Sequence, residues 1–73
     1  MHYELHVLRA IRNETQEDVA KAVGVSVQTY NAWEKDFSNI KISKANRLAR
    51  HFGVSLDELF LANQHAKNAT KED

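Results

Sequence analysis

Apolar residues recur along this chain at three- and four-residue intervals, in short runs divided by small or polar residues, a pattern that predicts several short helices. Leu5, Leu8 and Ile11 mark the first stripe and predict a helix from about Tyr3 to Arg12, with Asn13 as its left-handed exit. Thr15 and Asp18 are spaced as a capping box, in which a hydroxyl and a carboxylate each satisfy the other's backbone donor, so a second helix begins near Gln16. Its apolar side comes from Val19, Ala20 and Val23. Gly24 then falls where a helix ends in the left-handed conformation that glycine adopts most readily. Ser26 serves as the N-cap of a third helix. There Tyr30 and Trp33 lie three apart and face inward, while Val27, Gln28, Asn31 and Ala32 occupy another face.

Further along, KDFSNIKI (residues 35–42) holds turn-forming Asp, Ser and Asn and reads as a loop anchored to the core by Phe37, Ile40 or Ile42. Ser43 is the expected cap of a fourth helix whose buried stripe is Ala45, Leu48, Ala49 and Phe52. Gly53 ends that helix, and Ser55 with Asp57 and Glu58 opens a fifth carrying Leu56, Leu59 and Phe60. The fold class is therefore all-α, a compact bundle of about five short helices. Its core is expected to include Leu8, Val19, Ala20, Val25, Tyr30, Trp33, Leu48 and Phe52. Residues 1–62 form this domain. From Asn63 the sequence is polar and small, and 63–73 is expected to be a flexible tail.

Composition narrows the chemistry. At 73 residues there is room for one small domain, and the two glycines both fall at predicted helix ends. Without cysteine, disulfides, thiolate catalysis and cysteine metal sites are excluded. No apolar run approaches the roughly 20 residues that span a bilayer, and the N-terminus lacks a secretory pattern, so a soluble, cytoplasmic protein with no membrane partner is expected. Net charge is zero, but it is unevenly spread. Residues 1–34 carry minus two, residues 35–52 carry plus four, and the remainder carries minus two. The basic stretch, Lys35, Lys41, Lys44, Arg47 and Arg50, directly follows the third helix. A solvated helix face is the plain alternative for such a run.

Two short helices joined by a sharp turn are the usual scaffold for reading DNA. The segments LRAIRNETQ, GVS, QTYNAWE and LARHFGVSLDELF, in this order and spacing, resemble the helix-turn-helix of Cro- and repressor-type regulators of bacteria and phages. The resemblance runs from about Leu5 to Phe60. It implies a lambda-repressor-like DNA-binding domain that places the helix from Val27 to Glu34 in the major groove of double-stranded DNA. Val27, Gln28, Asn31 and Ala32 would then read bases, and Gln28 is the strongest candidate because a carboxamide matches adenine's N6 and N7. Gln16, Thr29, Lys35, Ser38, Asn39, Lys41 and Lys44 would hold phosphates. The resemblance also implies that Glu34 braces the motif, by pairing with a basic group such as Arg9. A homodimer on an inverted repeat, acting as a repressor, is the expected form.

Four positions depart from the family pattern. Glu14 replaces an apolar residue, Asp36 a glycine, Ile40 a frequent proline, and Asn46 an apolar helix residue. Zero net charge and the short side chains of the reading face leave a rival open, in which the same fold captures another regulator protein as an antirepressor. Catalysis and metal binding find little support. His2 and His6 stand four apart, His51 and His65 are isolated, and zinc needs more ligands than a pair supplies. No metal, cofactor or small-molecule ligand is expected, and no catalytic residue is identified.

Overall fold

A computed structural model of the chain describes the backbone of residues 4–71 and the side chains of residues 4–63. Five helices appear in order: α1 (Leu5–Ile11), α2 (Gln16–Val23), α3 (Val27–Lys35), α4 (Ile42–Phe52) and α5 (Leu56–Lys71), with a 3-10 turn at Phe37–Asn39 between α3 and α4. No strand occurs among the described residues. The fold is all-α.

Three of the helix exits share one device. Asn13, Gly24 and Gly53 have φ of 58°, 79° and 73°, and the residue after each donates its amide back across the last turn. These bonds run from Glu14 to Arg9 O (3.0 Å), Val25 to Ala20 O (2.9 Å) and Val54 to Ala49 O (3.0 Å). Left-handed exits of this kind satisfy carbonyls that the helix leaves open and turn the chain sharply. The starts are equally defined. Thr15 and Asp18 form the full capping box, Ser55 and Glu58 form a second, and the Ser26 hydroxyl accepts from the Thr29 amide.

The fourth helix corrects the sequence reading. It begins two residues earlier than a Ser43 cap would set it, at Ile42, with Lys41 in the N-cap position and no side-chain cap, so Ser43 lies inside the first turn. Asp36 instead caps the 3-10 turn, accepting from the Ser38 amide at 3.0 Å and the Ser38 hydroxyl at 2.6 Å.

The core gathers Leu5, Leu8, Val19, Ala20, Val23, Tyr30, Trp33, Phe37, Ile40, Ala45, Leu48, Ala49, Phe52 and Leu59, with Val25, Val54, Leu56 and Phe60 packed at its edge. The loop anchors are thus Phe37 and Ile40. Ile42, the third candidate anchor, is 58% exposed, and Ile11 is 71% exposed and does not continue the stripe of Leu5 and Leu8. Phe37 meets Phe60 edge-on at 5.1 Å and ties the 3-10 turn to α5. Asn63, expected to open the tail, is buried: its Oδ1 accepts from the Leu5 amide at 3.1 Å and its Nδ2 donates to Leu59 O at 2.8 Å. The side chains of the rest of that tail lie outside the described residues.

Candidate nucleic-acid interface

α2 packs closely against α3, and the turn between them leaves one side of α3 open to solvent. Tyr30 and Trp33 fill the inner side, meeting edge-on at 6.3 Å, and both are core. Val27, Gln28 and Ala32 are exposed on the outer side, and Asn31 is half-buried. All four expected base readers thus lie on the side of α3 away from Tyr30 and Trp33.

Beneath that face runs a polar chain. Arg9 Nε donates to Glu34 Oε2 at 2.8 Å, and Arg9 Nη2 reaches Oε1 at 3.4 Å, which joins α1 to the end of α3. Gln16 Nε2 donates to the same Glu34 Oε1 at 2.8 Å, and Asn31 Nδ2 donates to Gln16 Oε1 at 3.2 Å. Burial works against the Glu34 charge, yet the donors Arg9 and Gln16, with the nearby Tyr30 phenol, hold its pKa below the ordinary carboxylate value. The same pairing raises Arg9. Burial, together with the neighbouring Glu34 carboxylate, pushes the Tyr30 phenol far above its usual range.

The expected phosphate contacts fall into three places. Gln16 is the first residue of α2, at the positive end of the helix, although its carboxamide is already engaged by Glu34 and Asn31. Thr29, Asn39, Lys41 and Lys44 line one shallow depression beside α3, over Val25 and Trp33. That grouping unites a hydroxyl, an amide and two ammonium groups. Lys35 is exposed at the end of α3 and outside the depression, and the Ser38 hydroxyl is turned to Asp36.

The side-chain ties of Glu14 and Gln16 were not foreseen. Glu14 accepts from Arg12 Nε at 3.2 Å, and both of its carboxylate oxygens lie 3.0 Å from His51 Nε2 on α4, so His51 is not isolated. The carboxylate thus stands where Val25 and Val54 stand at the other exits. The Gln16–Asn31 bond was also missed, since residues 15 apart on two helices leave no local pattern. His6 is exposed, and His2 and the side chain of His65 lie outside the described residues. Among the described residues no group of three or more His, Cys, Asp or Glu could hold a metal ion, and no helix is long and apolar enough to cross a membrane.

Comparison with known proteins agrees with this geometry. Residues 8–59 match the helix-turn-helix family model. An HTH-type transcriptional regulator of Methanocaldococcus jannaschii is 41% identical over 61 residues, covering 84% of this chain and 92% of that protein. A second HTH-type regulator, from Archaeoglobus fulgidus, is 33% identical over 64 residues, covering 88% and 90%. The cryptic phage CTXphi transcriptional repressor RstR of Vibrio cholerae is 40% identical over 52 residues, covering 71% of this chain but 47% of the repressor. No solved structure matches significantly. By the family match, the two near-full-length relatives and the geometry of α2 and α3 together, the chain belongs to the helix-turn-helix family of Cro- and repressor-type transcriptional regulators.

Proposed function

We propose that this protein is a sequence-specific DNA-binding repressor of transcription that sets α3 in the major groove and works in the cytoplasm as a homodimer on an inverted repeat. The observation that carries the reading is the open face of α3, with Val27, Gln28, Asn31 and Ala32, bordered by Gln16 on one flank and by the Lys41–Lys44 depression on the other. Short polar side chains read base edges, and the flanking donors and cations hold the backbone in register. One small reading face discriminates modestly. Two copies multiply that discrimination, with half-sites about one helical turn, near 34 Å, apart. A repressor among the relatives supports occlusion of a promoter as the mode of action. No catalytic step enters the proposal.

A second reading, capture of another regulator protein through the same face, draws on the zero net charge and the acidic first 34 residues. Selection of bound fragments from random duplex DNA, at low and moderate salt and beside a Gln28→Ala control, separates the two. A symmetric site, weakened by salt and altered in the control, is the expected result. If no sequence is enriched even at low salt, DNA reading fails and capture of a protein takes its place.

A further inference from the structure

Resting on the DNA-binding reading, we infer that Arg9, Glu34 and Gln16 form a polarity relay that presets Asn31 as an adenine reader, so that Asn31 and not Gln28 alone determines specificity. The direction of the relay follows from chemistry. Glu34, held ionised by Arg9, is acceptor-only, so Gln16 must turn its NH2 group toward it. The Gln16 carboxamide then points its oxygen, which cannot donate, at Asn31. Asn31 must therefore offer its own NH2 group at that 3.2 Å contact, because the flipped carboxamide would set two acceptors against each other.

One amide hydrogen is spent on Gln16. The other hydrogen and Oδ1 remain, a donor and an acceptor, which are the kinds of group that adenine's N7 and N6 amino group require. Gln16 and Asn31 are both half-buried, so water competes less for the relay than it does on the open surface. Gln28 differs. It is exposed and makes no side-chain hydrogen bond among the described residues, so either end of its carboxamide can face the groove.

The test has two arms. In the free protein, the Asn31 side-chain amide proton bonded to Gln16 is expected to exchange more slowly in NMR spectra than an open amide, and Gln16→Met is expected to release it. On duplexes carrying the selected site, wild-type protein is expected to prefer adenine over guanine at one base pair per half-site by roughly tenfold or more. Asn31→Ala abolishes that preference. Gln16→Met shrinks it several-fold while also weakening binding to every sequence by a common factor, since Gln16 also faces the backbone. Glu34→Gln, which lets Gln16 flip, acts on the same base pair, with circular dichroism confirming that the variant folds. A Gln16→Met protein that binds more weakly yet keeps the adenine preference overturns the relay and leaves the DNA-binding reading standing. Fast exchange of the Asn31 amide in wild type overturns it as well. Failure of wild type to enrich any site overturns both readings, and a slow Asn31 amide would then mark the bond as a purely structural tie.

Discussion

Glu34 ties α1 and α2 to the end of α3. It accepts from Arg9 and Gln16, and its side chain is 10% exposed against 24% for Arg9. Removing one member of such a pair strands the other, so Glu34→Ala is expected to cost about 2 kcal/mol, read as a lower urea midpoint. The effect depends on pH. Because folding lowers the Glu34 pKa, its stabilisation is complete above the unfolded value of about 4.3 and disappears as pH falls through the lower folded value. Urea midpoints of wild type and Glu34→Gln should therefore differ at neutral pH and converge in strong acid. A gap that persists at low pH would assign the loss to packing instead. The Asp18 carboxylate, lowered by its bonds with Thr15, titrates over the same range in both proteins and cancels from the comparison. The Arg9–Glu34 pair was legible through the family resemblance. The Gln16–Asn31 and Glu14–His51 ties were not, because side chains that meet across helices 15 and 37 residues apart share no periodicity.

At the scale of elements, boundaries set by one residue's conformation were readable and those set by tertiary reach were not. Asn13, Gly24 and Gly53 announce exits because few other residues tolerate positive φ. The two glycines separate strain from crowding. A Cβ at Gly53 meets nothing within 4 Å, whereas one at Gly24 lies 3.4 Å from Arg47 Nη1, the far end of a flexible side chain. Both Gly→Ala variants are therefore expected to lose about 1 kcal/mol through the backbone alone, with similar shifts in thermal midpoint. A much larger loss at Gly24 would show that Arg47 cannot move aside. By contrast, a three-residue repeat states which side chains share a face but not how far the neighbouring element extends over it, which is why Ile11 ends up exposed. Asn63 shows the reverse failure. Composition put it with a polar tail, yet it clamps α5 to the first amide of α1. Asn63→Leu would leave the Leu5 amide without that partner, at an expected cost of about 1–2 kcal/mol, and should speed hydrogen exchange there before it affects α3.

For the whole molecule, the question is how a chain of zero net charge holds a polyanion. Its sum is less informative than its distribution. Five cations and one acid occupy residues 35–52, and of these Lys41 and Lys44 sit on the depression beside α3. Each phosphate neutralised by a cation releases counterions, contributing about 0.9 to the slope of log affinity against log salt. Lys41→Ala and Lys44→Ala should each flatten that slope by roughly one for every subunit bound, and weaken all sequences alike. Lys21 and Lys67 lie outside this stretch, and alanine at those positions serves as the control for net charge alone. Equal flattening at the control positions would show that the protein is held by its overall field, with no oriented face. Flattening confined to Lys41 and Lys44, with base preferences preserved, would place the phosphate backbone against the depression and the groove against Val27, Gln28, Asn31 and Ala32.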